Sequence, residues 1–184
     1  MKKQIAVLLG SLRRDSYSRK LGLALARMAP ESLDLEIVEI GGLPLYNQDL
    51  EAETPAWATF RARIAKSDGV LFVTPEYNRS IPAVLKNAID VGSRPPGKSA
   101  WDGKPGAIIS LSQGGLGGFG ANHHLRQSLV FVNVPAMQQP EAYIGNVASI
   151  FDAAGEISAP STREFIAKFL NAFAAWVERN ARQR

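Results

Sequence analysis

The sequence predicts a doubly wound α/β fold, a five-stranded parallel sheet with helices on both faces. Short apolar runs alternate with stretches of helical period about five times within 184 residues, and no linker or internal repeat interrupts them. Most of the runs are continuously apolar, as strands covered on both faces must be. Right-handed crossovers then put helices above and below the sheet.

The first strand is Ile5-Ala6-Val7-Leu8-Leu9, and a helix follows with Leu21, Ala24, Leu25 and Met28 on one face. Residues 35–40 alternate apolar and polar, as a strand with one more exposed face does, and are expected at the sheet edge. Thr54-Pro55 reads as a cap and first-turn proline before a helix bearing Trp57, Phe60 and Ile64. Val70-Leu71-Phe72-Val73 is the third strand; Val84, Leu85, Ala88 and Ile89 mark the next helix. Residues 107–111 form the fourth strand, Leu125, Leu129 and Val132 a fourth helical face, and the segment around Ala136-Met137 is the expected fifth strand. Ser161-Thr162-Arg163-Glu164 reads as a capping box for a last helix with Phe165, Phe169, Leu170, Phe173, Trp176 and Val177 on one face, a stripe that belongs to the core. The expected architecture is flavodoxin-like, a three-layer sandwich with strand order 2-1-3-4-5, formed by residues 1–184 as one domain.

Composition excludes several chemistries. With no cysteine, the chain can form no disulfide, thiolate metal site or thiol nucleophile. His123 and His124 are the only imidazoles and diverge on a helix, so no metal site is expected. The net charge of +4 comes from scattered cations, densest at Arg13-Arg14 and the extreme C-terminus; this fits an anionic small ligand and not nucleic acid. The apolar run behind Lys2-Lys3 stops after five residues and no stretch approaches a membrane span, so a cytoplasmic protein without membrane insertion is expected.

Ligand crevices in such sheets form outside the carboxyl ends of the strands. Two loops stand there. After the first strand, Ser11, Ser16 and Ser18 supply hydroxyls, Arg13 adds charge and the following helix N-terminus adds a positive pole, a set suited to a terminal phosphate monoester. Any one of these serines alone would read as an N-cap. Gly-x-Gly-x-x-Gly is missing, so a mononucleotide such as FMN fits better than a dinucleotide. Gly92-Ser93-Arg94-Pro95-Pro96-Gly97-Lys98-Ser99 spells a Walker A pattern, but it follows a helix and contains adjacent prolines, which rules out the phosphate loop.

The second loop, Thr74-Pro75-Glu76-Tyr77-Asn78-Arg79-Ser80-Ile81-Pro82, runs into Leu85-Lys86-Asn87-Ala88-Ile89-Asp90. This string resembles the signature of the NADPH-dependent FMN reductase family, the flavodoxin-like quinone and chromate reductases. Gly10-Ser11-Leu12-Arg13, Leu43-Pro44-Leu45-Tyr46-Asn47-Gln48-Asp49-Leu50, the glycines between 114 and 120, and His124-Leu125-Arg126-Gln127 extend the resemblance over almost the full length.

The resemblance implies that Ser11, Arg13, Ser16 and Ser18 hold the FMN phosphate. It implies that Pro75, Glu76, Tyr77 and Asn78 line the isoalloxazine ring, and that Ser112, Gln113, Gly114 and Gly115 form the opposite wall. NADPH or NADH would deliver a hydride to flavin N5, and quinones, free flavin, chromate or azo compounds would take the electrons in ping-pong turnover. Such enzymes are homodimers or homotetramers with the flavin near a subunit boundary, where Arg126 and Glu141 would serve as interface charges or as a surface ion pair. One departure is Val91-Gly92, where the family commonly carries an aromatic, so a contact at the flavin edge or subunit boundary is expected to be missing. A flavodoxin-type carrier without nicotinamide activity and a non-flavin phosphate-binding module are the rival functions.

Overall fold

The computed structural model describes residues 1–180; the basic residues beyond Asn180 lie outside them. Five parallel strands form one sheet in the order β2-β1-β3-β4-β5. They are β1 (Lys3–Leu9), β2 (Leu33–Ile37), β3 (Gly69–Pro75), β4 (Gly106–Leu111) and β5 (Ala142–Ile144). The helices are α1 (Tyr17–Met28), α2 (Pro55–Lys66), α3 (Ala83–Gly92), α4 (Phe119–Phe131) and α5 (Pro160–Asn180). The flavodoxin-like order expected from the sequence is therefore the observed one.

Strand alternation sorts the core into two layers. Ile5, Val7 and Leu9 join Leu71, Val73, Ile109 and Leu111 beneath α1 and α5, where Leu21, Leu25, Phe169, Phe173 and Val177 are buried. Ala6, Leu8, Val70, Phe72 and Ile108 point to the other face and meet Trp57, Leu85 and Leu125 of α2, α3 and α4. The aromatic stripe of α5 is core, as expected. β2 lies at the edge, and its alternating burial follows from having a neighbour on one side only.

The fifth strand is not at Ala136-Met137. Ala136 makes only an isolated bridge to Gly106, and the ladder forms farther along, where Ala142, Tyr143 and Ile144 pair with Ile109, Ser110 and Leu111. Pro135 and Pro140 flank the expected segment and cannot donate to a ladder, so the chain touches the start of β4, leaves and returns. α5 begins at Pro160, which leaves Ser161 inside the helix and not at its cap. Thr54 precedes Pro55 as expected, yet its hydroxyl donates to the Leu50 carbonyl and caps no helical amide.

Val91 and Gly92 lie at the last turn of α3, at its far end from residues 77–80. Both are buried, and the Trp101 indole occupies the space a Gly92 side chain would need, donating its N–H to the Ile89 carbonyl at 2.9 Å.

Asn87 explains a second string. Its Nδ2 donates to the carbonyls of Leu43 and Pro44, at 3.2 and 3.0 Å, and its Oδ1 accepts from the Tyr46 amide at 2.9 Å. The strings around Leu43 and Asn87 are thus two halves of one contact.

Candidate functional site

Parallel register brings the loops after β1, β3 and β4 to one edge. The first two are in direct contact: the Gly10 amide donates to the Val73 carbonyl at 2.9 Å, and a Cβ on Gly10 would stand 2.8 Å from Thr74 Oγ1 and 2.9 Å from Pro75 Cδ. Glycine is required here by close approach.

A cleft of about 190 Å³ opens between these loops. Ser11, Arg13, Ser16 and Ser18 line it from the first loop, Pro75, Glu76 and Tyr77 from the second, Ser112 and Gln113 from the third. Nine of the twelve residues expected at the site thus meet in one place. Gly114 and Gly115 continue the third loop beyond Gln113. Asn78 lines an adjoining cleft instead, with Ser80, Lys86, His124 and Gln127. Tyr17, Leu111 and Val147 complete the first cleft without having been anticipated. Tyr17 lies between two of the serines and could have been read with them; Val147 reaches the cleft only because β5 lies where it does.

The first loop is rich in free donors. Among the described residues, no acceptor is bound by the amides from Ser11 to Asp15, and α1 begins at Tyr17 with amides that no intrahelical carbonyl can satisfy. Ser16 caps α1 by accepting from the Arg19 amide at 3.1 Å, which leaves its own proton to give. Ser18 is 1% exposed, and its hydroxyl has no hydrogen-bond partner among the described residues. A buried hydroxyl without a partner costs about 1–3 kcal/mol, so this one awaits an acceptor. A phosphate at the N-terminus of α1 supplies acceptors in the required place.

Opposite lies the loop leaving β4. The Ser112 hydroxyl donates to the Gly114 carbonyl at 2.8 Å, the Asn146 amide donates to the same carbonyl at 3.1 Å, and the Val147 amide donates to the Ser112 carbonyl at 3.1 Å. The amides of Gln113, Gly114 and Gly115 bind no acceptor among the described residues. Neither Gly114 nor Gly115 has a positive φ, and nothing lies within 4 Å of where their side chains would stand. Packing gives no reason for glycine at either position, whereas a flat group lying against the backbone would.

The second loop is a tight turn. The Tyr77 and Ser80 backbones exchange hydrogen bonds, both 2.9 Å, around Asn78 and Arg79 at φ of 51° and 65°. Asparagine adopts this left-handed geometry readily and arginine does not. Tyr77 is left 51% exposed at the rim. Arg126 and Glu141 pair within the chain at 3.9 Å, and Arg126 also donates to Asn122 Oδ1 and the Met137 carbonyl.

Strand order, the loops that meet at the carboxyl edge and their unpaired donors define an α/β protein of the flavodoxin-like class. The model of the NADPH-dependent FMN reductase family matches residues 3–149, and the chain belongs to that family, an enzyme with FMN and NAD(P)H as cofactors. A quinone reductase of Pseudomonas putida is 61% identical over 96% of this chain and 95% of its own length. A 2-hydroxy-1,4-benzoquinone reductase of Burkholderia is 49% identical over 96% and 97%. Among solved structures, the flavoenzyme NAD(P)H:(acceptor) oxidoreductase FerB of Paracoccus denitrificans superposes with a TM-score of 0.93 at 41% identity, covering 98% of this chain and all of that one. The partnerless Ser18 hydroxyl and the unpaired amides of the first and third loops are donors that fit a flavin mononucleotide in this cleft.

Proposed function

We propose that this chain is an FMN-dependent NAD(P)H:quinone oxidoreductase. The observation that carries the reading is a buried hydroxyl without a partner in a cleft whose opposite side, Ser112 and Gln113, continues into two glycines that packing does not require. Ser11, Arg13, Ser16 and Ser18, with the first amides of α1, bind the phosphate. Pro75, Glu76 and Tyr77 line one side of the ring; Ser112, Gln113, Gly114 and Gly115 form the other; Asn78 contributes through the turn it builds. FMN held by these residues would supply the redox chemistry, hydride uptake from NAD(P)H at flavin N5 and return of the electrons to the acceptor. The protein's part is to hold the ring between backbone donors, and the absence of side chains at Gly114 and Gly115 admits close approach of nicotinamide and acceptor in turn. Quinones are the acceptor class in the names of the relatives; free flavin, chromate and azo compounds follow from an open face that selects little by shape.

Alternating use of one face predicts ping-pong kinetics, seen as parallel double-reciprocal plots when NADPH and benzoquinone are varied. A homodimer or homotetramer is part of the reading. It is supported by the large apolar side chains left exposed, Leu116 and Phe119 among the glycines between 114 and 120 and Val130 and Phe131, 78% and 88% exposed, at the end of α4. Light scattering should give two or four times 19.9 kDa. The decisive experiment is the visible spectrum of the FMN-reconstituted protein under anaerobic NADPH or NADH. Bleaching that recovers with benzoquinone is expected. A flavin band that does not bleach would indicate an electron carrier, and absence of bound flavin would overturn the site.

A further inference from the structure

The turn after β3 and the N-terminus of α4 meet through one carboxylate. The Glu76 side chain is 12% exposed; its Oε2 accepts from the Ala121 amide at 3.2 Å and its Oε1 from Arg79 Nη1 at 3.1 Å. α4 has no side-chain cap of its own, since Gly118 stands at the N-cap and the first turn is free of acidic residues. Ala121 is the third residue of α4, and its amide has no acceptor within the helix. A carboxylate from another loop therefore does the work of an N-cap, with the helix dipole favouring its charge.

The surroundings are cut to fit that contact. A Cβ on Gly120 would stand 2.9 Å from both Glu76 Oε2 and the Arg79 carbonyl oxygen, so only glycine admits this approach. One turn farther along α4, His124 Nδ1 and the Ser80 hydroxyl lie 2.9 Å apart. The same turn that lines one side of the cleft is thus docked on the helix that the opposite, glycine-bearing wall leads into.

We infer that Glu76 is a positioning residue, a latch that sets the spacing of the two cleft walls by capping α4 from the facing loop. It acts on a bound flavin through the backbone it holds, and its carboxylate is turned to α4 and Arg79. This inference rests on the flavin reading above.

The test compares wild type with Glu76→Gln, Glu76→Ala and Gly120→Ala. FMN affinity is read by quenching of flavin fluorescence, and the exchange of the Ala121 and Ser80 amides by NMR in the apo chain. Glutamine retains an acceptor for the Ala121 amide and should hold FMN within about threefold of wild type; alanine should weaken it about tenfold or more and speed exchange at both amides. Gly120→Ala leaves Glu76 in place but drives the turn off the helix, and should weaken FMN similarly. It carries the test if Glu76→Ala fails to fold by circular dichroism. Wild-type affinity in Glu76→Ala, or equal losses in the glutamine and alanine variants, would overturn the latch. A wild-type chain that binds no FMN would overturn the flavin reading instead, and unchanged exchange in Glu76→Ala would still overturn the latch.

Discussion

Ser18 sets two effects against each other. Its hydroxyl is buried and unpaired, so Ser18→Ala removes an unsatisfied donor from the apo protein and should stabilise it by about 1 kcal/mol. On the proposed flavin reading the same change removes a donor to the phosphate, and it should weaken FMN binding about tenfold. Paired thermal melts with and without FMN check the opposite signs; a variant less stable in both states would mean the hydroxyl has a structural partner. Arg13→Ala combined with Ser16→Ala should weaken FMN retention markedly, as read by equilibrium dialysis. Gly114 separates function from folding in another way. With open space around it, Gly114→Val should leave stability within about 0.5 kcal/mol while raising the KM for nicotinamide several-fold, as steady-state kinetics would register.

Among the elements, those that obey a local period were legible. β1, β3 and β4 are continuous apolar runs, and α1 and α5 carry clear buried faces; each stands where its pattern put it, whereas β2, expected over 35–40, begins at Leu33 and ends at Ile37. β5 was missed because three residues carry little periodicity, and because an apolar pair between prolines imitates a strand. The site was legible wherever a βα loop carries its own chemistry, as with Ser11 to Ser18 and Pro75 to Tyr77. The Asn87 clamp and the Glu76 cap span more than forty residues of chain, and no local spacing encodes such contacts. Asn87→Ala would leave the Leu43 and Pro44 carbonyls and the Tyr46 amide without this partner; a loss of about 2–4 kcal/mol is expected in urea unfolding.

At the scale of the molecule, two of the described groups bear on how stability depends on pH. The Arg61 guanidinium, hydrogen-bonded to Glu51, holds that carboxyl below its ordinary value. A carboxyl depressed in the folded state contributes stability above its unfolded value of 4.5 and loses it as pH falls through the folded one, so Glu51→Gln should flatten the acid limb of the stability curve. Tyr143 behaves oppositely. Burial, with the Glu141 carboxylate beside it, pushes the phenol up to about 12. A raised phenol contributes stability below the unfolded value of 10.0 and loses it as pH rises toward 12; Tyr143→Phe should flatten that alkaline limb in denaturation followed by circular dichroism.

The clamp at Asn87 also bears on how the chain comes apart. Besides the Leu43 amide, which donates to the Ile40 carbonyl at 3.3 Å, residues 43–46 rest their backbone on a side chain of α3 and on the Trp57 indole, which donates to the Pro44 carbonyl at 3.0 Å; among the described residues no strand pairs with them. This stretch is a guest of the helical layer. A protease probing it would therefore act as a gauge of local opening between α2 and α3, with cleavage near Leu45 tracking excursions of that layer while the five strands stay paired.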